Sequence, residues 1–463
     1  MALSSRLFIN KDIENLVHDN TNNNTTSVII KITLILFQTL IFTLIYTSNN
    51  WYAENQMITR SVITGFDLAL PFIEWMIIPY LSSVIYFLLA FFYIDEPKKY
   101  QQLNQNMLFA ALISGWCFYL YPLYFGSIEL VSSYPWKLGF DGVYFFDKPY
   151  NQAPSLHIVY GILLWFSLLG RFNRAVNWVI TMGITLMLVS TLFTYQHRII
   201  DVLSGLVVSV GVLGFTRYCL LSYLSQIYLS LTSTCWLLSM ILTSFNPMLS
   251  LLFGYLSIGF GLLFIAYFMN KPYALGKRCD GKVGMTHLIC LFPYRFVYWF
   301  MWNVRSLVDK QPVVSVLPWL SVGRRLSMMD KPRNFTHVID LSSELSLMST
   351  LHYDDAYQGE NQYRCLPLLD LQPITMADAV LFCESLEVIK NSNEAFSVYV
   401  HCTMGISRSY AMIASYLVWS GECEPCKVKA YLSTLNPHAM LRERYLEQEL
   451  LQKLSEYSVE RGK

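Results

Sequence analysis

The chain has 463 residues, a formal net charge of +1, 54% hydrophobic residues and only 14% charged residues. This composition is too apolar for an ordinary soluble enzyme, and nothing in the near-zero net charge indicates a basic surface for nucleic acid. The ten cysteines are scattered, and the close pair Cys423 and Cys426 lacks further zinc ligands nearby. We therefore predict neither a metal ion nor a cofactor.

Apolar runs of membrane-spanning length fill the chain up to residue 270. They lie at about 28–48, 68–94, 107–127, 154–170, 176–193, 199–219, 222–243 and 248–269. Each is compatible with crossing about 30 Å of hydrocarbon, so residues 28–270 are predicted to form an α-helical membrane bundle of about eight transmembrane helices. The polar segment 1–27 lacks the features of a cleavable signal peptide.

The lysines and arginines predict how these helices are oriented. With the N-terminus inside, the inner segments hold Arg6, Lys11, Lys31, Lys98, Lys99, Arg171, Arg174, Arg217, Lys271, Lys277, Arg278 and Lys282. The outer loops hold only Arg60, Lys137, Lys148 and Arg198. Because positive charge collects on the cytoplasmic side, we expect the loops before helices four and six to face outward and everything after residue 270 to be cytosolic.

Residues 271–310 are predicted to be a juxtamembrane segment. The run 283–303 contains Arg295 and is crowded with tyrosine, phenylalanine and tryptophan, which favours a helix lying in the membrane interface over one that spans it.

Residues 311–463 have the pattern of an α/β domain. Strands are predicted at 313–322, 336–341, 365–369 and 396–401, and helices at 377–389, 406–419 and 443–457. Strands that alternate with helices indicate one domain with a largely parallel sheet.

A short turn between the strand at 396–401 and the following helix carries the first candidate site. Such a turn aims its backbone N–H groups at one point in front of a helix N-terminus, which forms a cradle for an anion. Cys402 at the start of the cradle is favoured as a thiolate nucleophile, and Arg408 offers a planar fork to two phosphate oxygens. Ser409 is placed to support the thiolate when it leaves. The predicted phosphate-binding positions between Cys402 and Arg408 are Thr403, Met404, Gly405, Ile406 and Ser407.

The run from His401 to Ser409 resembles the HCxxGxxRS loop of cysteine-dependent dual-specificity phosphatases, and the resemblance extends over about 315–455. It implies hydrolysis of phosphate esters through a phosphocysteine intermediate. The loop lacks the extra basic residues that favour phosphoinositides, whereas attachment to a bilayer favours lipid substrates. The substrate class therefore stays open between phosphoproteins and membrane-borne phosphates.

This chemistry needs an acid to protonate the leaving oxygen. Asp370 ends a predicted strand and matches the position of the family's general acid, with Asp354 and Asp355 as the alternatives. Asp340 and Glu344 end another strand and are expected to shape loops rather than to take part in catalysis.

Two histidines at predicted outer helix ends mark a second candidate site. His157 follows Ser155 at the start of helix four, and His197 lies at the start of helix six, four residues before Asp201. On a helix, residues four apart share a face and can hydrogen-bond. A carboxylate on one imidazole nitrogen leaves the other nitrogen free to attack phosphorus.

This arrangement resembles the type 2 phosphatidic acid phosphatase superfamily over about 60–220, and the Pro-Ser-Leu-His run at 154–157 is most similar to its inositol-phosphorylceramide-synthase-like branch. Asp67, Pro71 and Tyr80 also resemble that branch. The resemblance implies His197 as nucleophile, Asp201 as its orienting partner, His157 as general acid and Ser155 as a phosphate contact.

The chain departs from this family in its basic residues. The family's Ser-Arg pair falls on Ser190 and Thr191, and its first Lys- and Arg-containing motif has no match. Lys137, Lys148 and Arg198 are the alternative cations, but none is in register. The choice between hydrolysis and transfer to a hydroxyl therefore stays open at this site.

Together these features predict a bacterial-type fusion of two phosphatase domains in a multi-pass membrane protein, located in the inner or cytoplasmic membrane if the source is a bacterium. The expected partners are the lipid bilayer and phosphorylated lipids or phosphoproteins, with no nucleic acid. Three alternatives remain. The helices are an inert anchor for one dual-specificity or phosphoinositide phosphatase, the outer site is a lipid phosphotransferase, or the cytosolic domain reads phosphate without turnover.

Overall fold

The computed structural model describes residues 28–125, 132–309, 311–327, 330, 335–346, 363–391, 396–439, 441 and 446–461. They fall into two compact units, one within Asn22–Gly261 and one within Leu262–Lys463.

The first unit is helical. Its helices are α1 (Val28–Asn55), α2 (Gly65–Ala69), α3 (Ile77–Leu81), α4 (Ser83–Tyr93), α5 (Pro97–Leu120), α6 (Trp136–Phe146), α7 (Leu156–Leu168), α8 (Arg174–Phe193), α9 (Ile199–Tyr218) and α10 (Tyr223–Leu242), and α11 (Pro247–Phe268) begins in it. A 3₁₀ turn, Glu74–Met76, precedes α3. The predicted helix at 68–94 is thus broken, and Pro71 lies at the break, where its missing N–H and fixed φ oppose a continuous helix.

Six helical stretches of the described chain are long and apolar enough to cross a membrane: Val28–Asn55, Glu74–Tyr93, Arg174–Phe193, Ile199–Tyr218, Tyr223–Leu242 and Pro247–Phe268. The two remaining predicted spans correspond to α5 and α7. Helix α5 has 24 residues but begins with a polar stretch, and α7 has only 13 residues. The count of about eight spans therefore stays a prediction.

Hydrogen bonds between buried amide side chains link three helices of the first unit. Gln38 of α1 donates to Asn104 of α5 at 2.7 Å, and Asn104 donates to Gln226 of α10 at 2.6 Å. A buried amide without a hydrogen-bond partner costs free energy, so these hydrogen bonds hold α1, α5 and α10 together.

The second unit is an α/β domain preceded by a short helical segment. This segment contains the 3₁₀ turn Pro272–Leu275, α12 (Met285–Cys290) and α13 (Phe292–Val308). The domain follows with β1 (Val313–Leu317), β2 (Leu320–Arg324), β3 (His337–Ser342), β4 (Tyr363–Leu368), α14 (Met376–Lys390), β5 (Val398–Cys402), α15 (Arg408–Trp419), α16 (Val428–Leu435) and α17 (Gln448–Arg461).

The five strands form one sheet in the order β1-β2-β5-β3-β4. The pairs β2–β5, β5–β3 and β3–β4 are parallel, while β1 and β2 form an antiparallel pair. The single strand predicted at 313–322 is thus two strands joined by a tight turn. Because β5 is buried along its whole length at the centre of the sheet, the loop that follows it is held from both sides.

Candidate active sites

The turn from β5 to α15 wraps around the sulfur of Cys402. The Gly405 N–H donates to Cys402 Sγ at 3.3 Å, and Ser409 Oγ lies 3.5 Å from the same sulfur. Gly405 has a φ of +64°, and a Cβ there would lie 2.4 Å from the backbone nitrogen of Arg324. The loop thus needs glycine at this position both for its conformation and for its close approach to β2.

Arg408 is held by a buried carboxylate. It is 2% exposed, and its Nη1 donates to Glu344 Oε1 at 2.7 Å and to the Leu368 carbonyl at 2.8 Å. The second oxygen of Glu344 accepts from Thr403 Oγ1 at 2.6 Å. Burial alone lowers the pKa of Arg408, but the charges of Glu344, Asp370 and Cys402 raise it well above its ordinary value. The fork of Arg408 is therefore fixed and charged.

Glu344 holds two residues of the anion cradle in place. The sequence predicts that it shapes a loop, and the structure joins it to both Arg408 and Thr403, contacts that the sequence did not reveal. Its position just after β3, beside the carboxyl end of β5, was the available signal, because neighbouring parallel strands end at one edge of the sheet.

Asp370 lies in the turn after β4 and is partly exposed. Its Oδ1 is 3.5 Å from Arg408 Nε, and its Oδ2 accepts from the Tyr298 hydroxyl at 3.2 Å. The structure thus brings Asp370 close to the arginine of the cradle. The alternatives Asp354 and Asp355 lie outside the described residues.

The remaining loop positions differ in burial. Thr403 is fully buried against Glu344, while Met404, Ile406 and Ser407 are partly buried. Their backbone lies between Cys402 and the start of α15, as a phosphate cradle at a helix N-terminus needs.

Two basic residues of the juxtamembrane segment extend this network. Lys277 is 2% exposed and donates to Asp340 at 2.6 Å and to the Ser342 carbonyl at 2.7 Å. Burial alone raises the pKa of Asp340, but the charge of Lys277 holds it well below its usual range. Arg295 donates to the carbonyls of Glu344 and Leu275. Neither contact was visible in the sequence, since each joins residues at least 20 positions apart.

The second candidate site lies in the helical unit. His197 occupies the turn before α9 rather than the helix itself, so the shared helical face predicted for His197 and Asp201 is wrong. The two are still close, with Nδ1 3.6 Å from Asp201 Oδ2. That oxygen accepts instead from the Arg198 N–H at 2.8 Å, because an acid at the third position of a helix caps its first turn.

His157 faces His197 from the start of α7, with ring centroids 6.0 Å apart. Tyr80 stacks on His157 at 4.1 Å. The Ser155 N–H donates to the Asp201 carbonyl at 3.0 Å, and the buried Ser155 Oγ has no hydrogen-bond partner among the described residues. The predicted site residues of this unit thus lie close together.

Two of the three alternative cations of this site, Arg198 and Lys148, have other partners. The Arg198 guanidinium donates to Ser61 and to the Val62 and Phe125 carbonyls, and Lys148 pairs with Glu54. Asp67, singled out in the sequence, accepts from the Ile199 N–H at 2.9 Å. It therefore helps to hold the start of α9 rather than to bind phosphate.

An apolar cavity of about 290 Å³ reaches the histidine site. Its lining includes His157 at the start of α7 and apolar side chains of α1, α4 and α5, such as Phe42, Phe87 and Met107. This size falls near the lower end of the range for small-molecule pockets, and the lining fits a hydrocarbon chain.

Comparison with protein families gives two matches in this chain. Residues 72–215 match the PAP2 superfamily, and residues 329–422 match a family described as "Polymorphic toxin system, DSP-PTPase phosphatase". These matches support the predicted fusion but not the inositol-phosphorylceramide-synthase-like branch. A search of curated proteins gave no match.

Several solved structures are similar to part of the chain. The crystal structure of PTPMT1 in complex with PI(5)P is 18% identical, covering 33% of this chain and 100% of that chain with a TM-score of 0.26. That of Tk-PTP in the active form is 16% identical, covering 32% and 99% with a TM-score of 0.24. That of human DUSP28 is 18% identical, covering 32% and 96% with a TM-score of 0.24.

Proposed function

We propose that this chain, which carries a PAP2 superfamily domain and a DSP-PTPase phosphatase domain, is a membrane-bound phosphatase with two catalytic centres. The observation that carries the proposal is the convergence of Cys402, Arg408 and Asp370 around one turn. A module that only reads phosphate needs neither a nucleophile nor an acid at these places.

At the cysteine centre, the thiolate of Cys402 attacks phosphorus while Arg408 holds two of its oxygens. The S–P bond forms as the bond to the leaving oxygen breaks, and Asp370 gives that oxygen its proton. Water then attacks the phosphocysteine and releases phosphate. The Ser409 hydroxyl, 3.5 Å from the sulfur, donates to the departing thiolate. The backbone from Thr403 to Ser407 binds phosphate throughout.

At the histidine centre, His197 attacks the phosphate of a lipid, and Asp201 orients its ring. His157 protonates the leaving oxygen, and the free Ser155 hydroxyl contacts phosphate. The apolar cavity, whose lining includes His157, supports a lipid substrate, since it offers space for a hydrocarbon chain. Water as the acceptor gives a phosphatase, and a lipid or polyol hydroxyl gives a phosphotransferase.

The proposed topology has eight crossings, with α5 and α7 added to the six apolar stretches. The histidine centre then faces outward, and the cysteine centre lies in the reducing cytosol, where its thiol persists. Helix α13 lies in the interface, because Phe296, Phe300 and Met301 are each at least half exposed on its outer side. Protease accessibility of the C-terminus in sealed vesicles tests this arrangement: cleavage from outside contradicts it.

The two centres are tested by separate substitutions in the full-length protein in membranes. Cys402→Ser is expected to abolish one set of activities and His197→Ala the other. The panel contains phosphatidic acid, phosphatidylglycerol phosphate, phosphoinositides and a phosphotyrosine peptide. If neither substitution lowers any turnover, the two-centre proposal is wrong. If only Cys402→Ser has an effect, the helices are an anchor for one phosphatase.

A further inference from the structure

One face of α13 is packed onto the cysteine centre. Arg295, Tyr298 and Trp302 follow each other at spacings of three and four, so they lie on one side of the helix. Arg295 donates to the Glu344 carbonyl, and Trp302 Nε1 donates to the Arg325 carbonyl at 2.8 Å. These contacts fix the helix above and below Tyr298. This segment precedes the part of the chain that matches the phosphatase family.

The hydroxyl of Tyr298 reaches the proposed general acid. It donates to Asp370 Oδ2 at 3.2 Å, while Asp370 Oδ1 faces Arg408 Nε at 3.5 Å. Burial raises the pKa of Tyr298 above its ordinary value, and the nearby charges of Tyr267 and Asp370 raise it further. Its hydroxyl therefore stays protonated and acts as a donor.

We propose that Tyr298 is a positioning residue for Asp370, so that α13 contributes a residue to the cysteine centre. With Oδ2 occupied by the Tyr298 hydroxyl, the proton of the acid resides on Oδ1. That oxygen is the one turned toward Arg408 and hence toward a bound phosphate ester. Tyr298 thus sets which oxygen delivers the proton and holds the carboxyl plane in place. The inference rests on the proposed role of Asp370 as general acid.

The test compares two substrates that differ in their need for an acid. Phenyl phosphate releases a more basic phenoxide than 4-nitrophenyl phosphate does, so its hydrolysis depends more on proton donation. For Tyr298→Phe in the full-length protein we expect kcat on phenyl phosphate to fall about tenfold, a part of the roughly hundredfold or larger effect of general acids. KM and the turnover of 4-nitrophenyl phosphate change by less than about twofold on the same reasoning.

The matched control is Tyr431→Phe. Tyr431 of α16 also donates through its hydroxyl, to the Val316 carbonyl at 3.4 Å, but it lies on a different element. This variant is expected to behave as the wild type on both substrates. An equal loss of kcat on both substrates in Tyr298→Phe indicates a merely structural role for Tyr298 and overturns the inference.

A double variant separates positioning from stability. If Tyr298 acts through Asp370, then adding Tyr298→Phe to Asp370→Asn lowers phenyl phosphate turnover no further. A further tenfold loss overturns the positioning role. Cys402→Ser separates a failure of the proposed function from a failure of the role proposed for Tyr298. Phenyl phosphate turnover in that variant equal to that of the wild type contradicts the proposed cysteine centre itself. Loss in Cys402→Ser and Asp370→Asn, with wild-type behaviour of Tyr298→Phe, contradicts only the role of Tyr298.

Discussion

Replacing Glu344 by glutamine tests whether a buried carboxylate holds Arg408, the arginine that we propose binds phosphate. Glu344 is 0% exposed and accepts from Arg408 at 2.7 Å and from Thr403 at 2.6 Å. Glutamine keeps the shape but has one acceptor oxygen and one amide donor. One of the two contacts therefore loses its acceptor, and the charge on the other is gone.

The size of the effect follows from the value of a charge-assisted hydrogen bond. Such a bond is worth about 1.5–3 kcal/mol, so a loss of about 2 kcal/mol in holding Arg408 is expected. If this appears as lost transition-state binding, kcat/KM falls about thirtyfold, since about 1.4 kcal/mol corresponds to tenfold. The assay is hydrolysis of 4-nitrophenyl phosphate by the full-length protein in detergent, with thermal unfolding measured alongside.

Glu387→Gln is the matched control for this experiment. Glu387 of α14 also accepts a side-chain hydrogen bond, from the Tyr416 hydroxyl at 2.8 Å, but it takes no part in the cradle. We expect its kcat/KM to stay within about twofold of the wild type, as for substitutions away from a reacting centre. A folded Glu344→Gln variant with kcat/KM equal to that of the control refutes the reasoning.

Three further predictions concern the same domain. Lys277→Met leaves Asp340 buried without its cation and is expected to lower unfolding stability by about 3–5 kcal/mol, measured by denaturant titration. Because the pKa of Asp340 is depressed in the folded protein, its contribution is present above about pH 4 and is lost as pH falls further, which denaturant titration at pH 7 and about pH 2 detects. Gly405→Ala forces a Cβ onto the Arg324 backbone and is expected to lower kcat/KM about a hundredfold or more in the same hydrolysis assay.

Each of these predictions has a control in the chain. Lys282→Met removes an exposed lysine and leaves stability unchanged, so an equal loss in both lysine variants contradicts the role of the buried pair. Lys277→Met itself should lose most of the effect at about pH 2 that is assigned to Asp340. Gly421 also has a positive φ, +73°, but meets nothing within 4 Å. Comparable activity in Gly405→Ala and Gly421→Ala therefore refutes the steric argument.

Local sequence patterns predicted many of the strands and helices of the second unit. Strands β3, β4 and β5 and helices α14 and α15 begin and end within about two residues of their predicted bounds, because alternation and helical periodicity act over short stretches. The turn from Cys402 to Arg408 was predictable for the same reason, since its chemistry is contained in seven consecutive residues. Both family matches were likewise anticipated from short motifs.

Contacts between side chains that are far apart in the sequence could not be predicted from local patterns. Glu344 beside Arg408, Lys277 beside Asp340 and Tyr298 beside Asp370 join residues 63 to 72 positions apart. Nothing in a local pattern specifies which buried charge meets which, because the order of strands in the sheet decides it. The sequence by itself therefore determined many of the elements and the proposed nucleophile Cys402. Only the tertiary structure decided that α13 supplies a hydrogen-bond partner of Asp370, the proposed acid, since that contact exists only once the helix has packed against the sheet.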